Sequence, residues 1–353
     1  MRAFGFFFIA ESTSIGWRFQ IVNEIEQGKI LVTGGAGFIG SALVWGLNQL
    51  GLQNILVCDE LGKNDKWRNL APLRFDDYLS AAQLLAAIES DKPWLNEIRW
   101  VFHLGACSAT TEQDAGYLME NNYRYTKVLC DWALAHSARF VYASSAATYG
   151  DGAKGMNDDE AIIESLRPLN AYGYSKQLFD LRAKQHGLLS AIVGLKYFNV
   201  YGPNEWHKGD MRSLVNKAYT QVVDTGHISL FKSYKPEFKD GEQRRDFLYV
   251  KDAVDMTIHL AVTRTANGIF NLGSGKARTW IDLANAVFAA LSLPSQIDFI
   301  EMPEVIRDKY QYFTQANIAK LERTGYQGPK FTLEQAVGDY VQNYLIPHRH
   351  MEP

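Results

Sequence analysis

Cysteine is scarce in this chain: three in 353 residues, Cys58, Cys107 and Cys130, with no C-x-x-C spacing among them. So sparse and odd a set excludes a disulfide framework and a cysteine-based structural metal site, and it points to a reducing compartment. An excess of charge of one sign is also missing. Lys and Arg number 36 against 39 Asp and Glu, a net charge of −3, so there is no bulk field to attract nucleic acid or an anionic membrane. Long apolar runs are absent. AFGFFFIA (3–10) has eight residues, too few to span a bilayer. Residues 1–28 are expected to be an N-terminal extension of a cytoplasmic protein, with a faint likeness to a secretion signal. Repeats, low-complexity tracts and a flexible linker are absent as well.

What remains is a regular alternation. KILVTG (29–34), ILVCDE (55–60), WVFHLGA (100–106), FVYASS (140–145) and AIVGLKYFNV (191–200) are short apolar runs, each reading as a buried strand. Between them lie segments of helical spacing, including 38–51, 116–136 and 173–187. Strands alternating with helices predict an α/β fold with a doubly wound parallel sheet of the Rossmann type. Past Val200 the pattern becomes irregular before returning in DFLYVKDAVDMTIHL (246–260) and IFNLGS (269–274). A dinucleotide-binding domain over 29–197 is therefore expected, rejoined by 247–274 and about 312–324. A smaller α/β substrate-binding lobe would use 198–246, 275–311 and 325–353, with ligand held between the two at the carboxyl ends of the strands.

Five features bear on chemistry. TGGAGFIG (33–40) sets Gly34, Gly37 and Gly40 between a strand and a helix, with Phe38 and Ile39 beside them. Glycines there permit a tight turn and close approach to a pyrophosphate, and the helix N-terminus favours the anion. Asp59 and Glu60 end the second strand. A carboxylate at that point holds ribose hydroxyls and disfavours a 2′-phosphate, whereas Lys66 a turn later would neutralise one, so NADP and NAD both stay open. Lys63, Lys66 and Arg68 read equally well as a solvated loop. LGACS (104–108), comprising Leu104, Gly105, Ala106, Cys107 and Ser108, is small enough to pass beneath a dinucleotide, or is a plain turn. Ser145 closes the strand FVYASS, placed to hydrogen-bond a substrate oxygen. In YGYSK (172–176), Tyr172 and Lys176 stand one helical turn apart. An ammonium beside a phenol stabilises the phenolate and brings its pKa toward the working range.

In this order, GxxGxxG, Asp59, Ser145 and Tyr172-x-x-x-Lys176 resemble the extended short-chain dehydrogenase/reductase family, in its NAD-dependent epimerase/dehydratase branch, over roughly residues 29 to 345. Tyr172 is then the working tyrosine, and Tyr174 a packing or positioning residue. The acidic pair that family dehydratases carry just after the strand-end serine is missing: Ala146, Ala147 and Thr148 stand there.

GACSATTE (105–112), MENNYRYTK (119–127), PLNAYGYSK (168–176), KYFNVYGPNEWHKGDM (196–211), RRDFLYV (244–250) and KYQYFTQAN (309–317) are similar to members of that family that invert C6 of an ADP-linked heptose for the inner core of lipopolysaccharide. The likeness implies an ADP-heptose substrate, a tightly bound NADP with NAD as the alternative, no metal, and a homo-oligomer, by resemblance a pentamer. It implies Tyr172 and Lys208 as two proton-transfer groups, Lys176 against the tyrosine and the cofactor, and Ser145 on the substrate. It adds Asn121 and Val200 to the cofactor set, and Asn199, Asp210, Lys217, Phe231, Arg245 and Tyr310 to the substrate set. For Arg245 the competing reading is an ion pair with Asp246 or another acid. Departures from the pattern are Leu104 for a glutamate, Asp210 for a small hydroxyl residue, Lys217 for a histidine, and a longer charged loop at 232–243. The rival within the family is another nucleotide-sugar epimerase, such as a UDP-hexose 4-epimerase, which would need only one tyrosine as base.

Overall fold

The architecture is taken from a computed structural model that describes Ile25, residues 28–307 and residues 310–353, apart from the side chains of Val305 and Ile306. The expected N-terminal extension lies outside the described residues, save Ile25 and Gly28. Seven parallel strands form the central sheet, in the order β10–β6–β5–β4–β1–β2–β3. They are β1 (Lys29–Thr33), β2 (Ile55–Cys58), β3 (Asp77–Leu79), β4 (Ile98–His103), β5 (Arg139–Ser145), β6 (Val193–Tyr197) and β10 (Gly268–Leu272). The inner strands are apolar on both faces because helices cover both, as in parallel sheets generally. Ile30, Val32, Phe102 and Leu195 face one core cluster, while Leu31, Val101 and Phe140 face a second on the other side. Strand order reverses at β1, which pairs with β2 on one side and β4 on the other. Ligands of such sheets bind outside the strand ends at that switch point.

Helix α1 (Phe38–Gln49) follows β1 and ends where Leu50 and Gly51 return their amides to the Leu47 and Asn48 carbonyls respectively, Gly51 at φ +86°. Helix α2 (Ala81–Glu89) follows β3 behind a capping box of Ser80 and Gln83. The segment expected as one helix over 116–136 is instead Ala115–Leu118, a π-type turn at Met119–Arg124, and α3 (Tyr125–Ala135). Thr126 Oγ1 donates to the Asn122 carbonyl at 2.5 Å inside that turn. Insertion of this kind widens a helix and recurs at functional sites. Helix α4 (Ala171–Gln185) carries the YGYSK motif, its N-terminus capped by Asn170.

The smaller lobe is built from β7 (Asn199–Tyr201), β9 (Arg244–Tyr249) and β11 (Ala277–Thr279), with a separate parallel pair, β8 (Ile228–Phe231) and β12 (Ile297–Ile300). The run 191–200 is not one strand. Phe198 gives its amide to Leu272 and receives the amide of Val200, a kink that sends Asn199–Tyr201 out of the main sheet to pair with β9. Helices α5 (Leu214–Thr225), α6 (Val250–Val262), α7 (Trp280–Ala290) and α8 (Leu333–Tyr340) complete the layers. No helix among the described residues is long and apolar enough to cross a membrane.

Candidate active site

At the switch point a cavity of about 500 Å³ opens over the carboxyl ends of β1, β2, β4 and β5. Its floor is the glycine turn. Gly34 adopts φ +69°, and a Cβ there would come within 2.6 Å of the Gly105 amide nitrogen, so the LGACS loop lies directly on the turn. Gly37 precedes α1 without any side-chain cap, leaving the first helical amides available to an anion. Asp59, at the end of β2, braces the turn: one carboxylate oxygen accepts the amides of Ala36 (2.8 Å) and Gly37 (3.1 Å), and the other accepts Lys66 Nζ at 2.5 Å. The Lys66 charge thus partly neutralises the only carboxylate bonded to the turn among the described residues. Phe38, Ile39, Gly40, Glu60, Leu104, Ala106, Ser108 and Val200 line the same cavity. An uncapped helix start, a turn crowded for any Cβ and a lysine-neutralised acid fit the pyrophosphate and adenosine end of a dinucleotide.

Ser145, Tyr172 and Lys176 line the far wall. Burial pushes the Tyr172 phenol up, and a hydrogen bond from Ser145 opposes that rise. Burial lowers the Lys176 ammonium to about 8 against the pull of Asp180, one turn along α4. Its Nζ donates to the Ala143 carbonyl at 2.9 Å. Ser145 thus eases phenolate formation in this arrangement. Tyr174 is 49 % exposed, which departs from the packing or positioning expected of it. The 3.6-residue period explains the split: Tyr172 and Lys176, one turn apart, share the inward face, and Tyr174, half a turn round, takes the opposite one.

Behind this wall is a fully buried polar network. Asp180 accepts Tyr142 Oη (2.9 Å), Ser144 Oγ (2.8 Å) and Lys196 Nζ (2.7 Å). Lys196 also reaches Thr148. The network fixes the two neighbours of Ser145 in space, Ser144 before it and the turn of Thr148 after it.

Lys208 enters the cavity from the other side, on the short helical turns Trp206–Met211. Burial lowers its ammonium, with Glu205 opposing and Lys217 reinforcing the shift. Its Nζ lies 5.0 Å from the centroid of the Phe38 ring, so the lysine rests on the glycine-loop helix. Glu205 is fully buried and accepts Ser213 Oγ (2.6 Å), Ser213 N (2.5 Å) and Tyr340 Oη (3.0 Å).

On β9, Arg245 is 5 % exposed and gives a hydrogen bond only to the Arg244 carbonyl among described residues. Its guanidinium sits 5.0 Å from the ring of Tyr310 and 5.6 Å from that of Trp280, and Trp280 Nε1 donates to Tyr310 Oη. The rival reading, an ion pair with Asp246, does not hold: Asp246 is satisfied by the amides of Ser274, Gly275 and Ala316 and by Ser274 Oγ. A buried guanidinium held between aromatics, with no carboxylate paired to it among the described residues, is suited to phosphate oxygens.

Residues 30–273 match the NAD dependent epimerase/dehydratase family. The chain belongs to that family. Family membership brings a nicotinamide cofactor. The chain is 52 % identical over 316 residues to an ADP-L-glycero-D-manno-heptose-6-epimerase of Nitratidesulfovibrio vulgaris, covering 89 % of this chain and 97 % of that one. It is 48 % identical over 331 residues to an enzyme of the same name from Fusobacterium nucleatum, covering 90 % and 98 %. The crystal structure of the Helicobacter pylori ADP-L-glycero-D-manno-heptose-6-epimerase superposes with a TM-score of 0.74 at 28 % identity, covering 92 % of this chain and 97 % of that one.

As an epimerase/dehydratase-family site, the arrangement gathers most of the expected residues and leaves some aside. Asn121 turns away, donating to the Tyr117 carbonyl. Its neighbour Asn122, buried in the π-type turn, accepts the Cys107 amide (2.8 Å) and donates to the Cys107 carbonyl (3.0 Å) and Ser175 Oγ (2.9 Å). Cys107 thus gives its backbone to Asn122, while its thiol lies near enough to Tyr172 and Lys176 to act on both. Asn199 is exposed on β7 and accepts Thr314 Oγ1. Asp210 is exposed, and Lys217 is half-buried on α5; neither lines the cavity. Phe231 ends β8, its carbonyl accepting Gln243. Asn122, Glu205, Trp280 and the Asp180–Lys196 pair went unread in the sequence. The NN doublet of MENNYRYTK flagged the first only to within one position, and buried acids at i+4 from a motif lysine could have flagged Asp180.

Proposed function

We propose that the protein interconverts ADP-D-glycero-D-manno-heptose and ADP-L-glycero-D-manno-heptose by oxidising C6 to a ketone and reducing it again from the opposite face. The observation that supports this reading is that two side chains able to exchange protons, Tyr172 and Lys208, line one cavity from different elements. C6 of a heptose is an unactivated secondary alcohol whose hydrogen is not acidic, so inversion by direct deprotonation is closed to a side-chain base. Bound nicotinamide supplies the hydride acceptor and then the hydride donor at C6, without net redox change.

The residues do the rest. Gly34, Gly37 and the start of α1 hold the pyrophosphate. Lys66 offsets Asp59 and favours NADP, because it cancels the repulsion a 2′-phosphate would meet there. Inversion presents the C6 oxygen in two orientations, and each needs its own base and acid. Tyr172, eased by Ser145, exchanges the proton in one orientation. Lys208, whose ammonium burial makes readier to release a proton, serves the other. Lys176 orients the cofactor ribose, Ser145 the substrate oxygen. Arg245, backed by Tyr310 and Trp280, holds the ADP pyrophosphate.

Purified protein given ADP-D-glycero-D-manno-heptose and no added cofactor is expected to yield a mixture of both C6 epimers, resolved by chromatography, with no accumulation of NADPH. Absence of the second epimer even with NADP⁺ or NAD⁺ supplied would rule the heptose assignment out. A C4 epimerase would instead act on a UDP-hexose and would be indifferent to Lys208.

A further inference from the structure

The carboxyl end of the chain reaches back to the site that the proposed epimerase reading assigns to Lys208. The contact runs through two buried asparagines, Asn69 and Asn204. Asn69 is 1 % exposed. Its Nδ2 faces the Ala36 carbonyl of the glycine turn (3.0 Å) and the Asn204 carbonyl (3.1 Å), with His207 Nδ1 also 3.1 Å away. Two carbonyls around one nitrogen fix which end of the amide is which. The other end, Oδ1, can only accept, and it accepts from His350 Nδ1 at 3.0 Å. Asn204 is fully buried at φ +75°. Its Oδ1 accepts the Met351 amide (3.0 Å) and its Nδ2 donates to Ser41 Oγ on α1 (3.0 Å). Further along, Trp45 Nε1 of α1 donates to the Glu352 carbonyl (2.9 Å). His348 packs its ring on Trp206, centroids 4.7 Å apart.

Residues 348–352 thus touch both halves of the Lys208 setting at once. One half is the glycine turn and α1, on whose Phe38 the Lys208 ammonium rests. The other is the turn 204–207 that delivers Lys208. We propose that this carboxyl-terminal segment is a strap that positions His207 and Lys208 over the dinucleotide, with His350 and Asn69 as its positioning residues. A hydrogen bond between neutral partners in a buried setting is worth about tenfold in an equilibrium, and the strap closes on the one cavity where the cofactor is held.

The test uses the full-length protein, His350→Ala, His350→Asn and a chain stopped after Pro347. Asparagine can place an amide N–H where His350 Nδ1–H now stands. NADP(H) affinity is read by tryptophan fluorescence with no sugar present, and amide hydrogen exchange is read at 204–211. His350→Ala and the shortened chain are expected to bind NADP(H) about tenfold more weakly and to exchange faster at 204–211. Exchange in β4 and β5 should stay unchanged, and His350→Asn should restore both readouts. With the sugar present, kcat should fall in the same two variants while KM for the ADP-sugar holds. Unchanged affinity and exchange in His350→Ala would overturn the strap, as would losses spread over the whole sheet that His350→Asn does not restore. If the shortened chain does not fold, the two point variants decide. Exchange and cofactor affinity do not depend on the sugar, so a strap confirmed in a protein that fails to epimerise would sink the heptose reading alone.

Discussion

Tyr172 is a phenol that burial makes harder to ionise and Ser145 makes easier, so losing either group should slow proton exchange at the C6 oxygen. Tyr172→Phe is expected to lower kcat by about 10²- to 10⁴-fold, the usual worth of a positioned acid–base group, with the ADP-sugar still bound. Lys208→Met should do the same, and adding it to Tyr172→Phe should leave no measurable interconversion in either direction. Lys176 gives a pH test. Its pKa falls from 10.5 to about 8 on burial, so in the folded protein the ammonium is the penalised form. Below about pH 8 the penalty is complete. Between about 8 and 10.5 the unfolded chain holds a proton that the folded chain has released, so stability of the cofactor-free protein rises with pH across that window. Lys176→Met should flatten that rise in denaturant melts taken at a series of pH values. In the proposed function Lys176 holds the cofactor ribose as an ammonium, so affinity for NADP(H) should fall as pH passes about 8. Arg245→Lys tests the clamp: a point charge cannot reproduce a guanidinium held between Trp280 and Tyr310, and KM for the ADP-sugar should rise with kcat little altered.

Elements were legible in the sequence where their pattern is local. The run KILVTG followed by a glycine turn and a helical period is strand, turn and helix in the structure, because β1 is buried on both faces and Gly34 needs a positive φ. Periodicity failed where a long-range bond decides. Phe198 splits an apolar run into two strands because its amide belongs to Leu272, 74 positions away in sequence. The π-type turn at Met119–Arg124 is likewise invisible to a 3.6-residue period, and with it the role of Asn122. Among the expected site residues, those on compact motifs are the ones the structure brings together around the cavity: the glycines, Asp59, Ser145, Tyr172 and Lys176. The residues that brace them are polar side chains scattered over distant elements and joined only by folding. Asn122→Ala would leave the Cys107 amide and carbonyl and Ser175 without their partner. It should cost about 1–3 kcal/mol of stability, read by urea melts, and should loosen the LGACS loop, read by hydrogen exchange. Lys196→Met strands a buried carboxylate at Asp180 and should cost about 3–5 kcal/mol, while replacing both partners with apolar residues of similar volume should recover much of that loss.

At the scale of the whole molecule, two kinds of layer meet over one cavity. The parallel sheet and the helix after β5 supply its floor and the wall of Ser145, Tyr172 and Lys176, and the segment after β7 brings in Lys208 from the other side. In the proposed function these are the dinucleotide floor and the two bases, and Arg245 on β9, outside that lining, is the clamp for the ADP phosphates. Interconversion through a ketone, with hydride returned to the carbon it left, is the central claim, and isotopic labelling tests it most directly. ADP-D-glycero-D-manno-heptose carrying deuterium at C6 would be incubated with the protein as purified, and the product epimer analysed by mass spectrometry. The account predicts that the ADP-L-glycero-D-manno-heptose formed retains the deuterium at C6 while NADPH does not accumulate. Replacement of the label by solvent hydrogen, or stoichiometric appearance of NADPH, would contradict it.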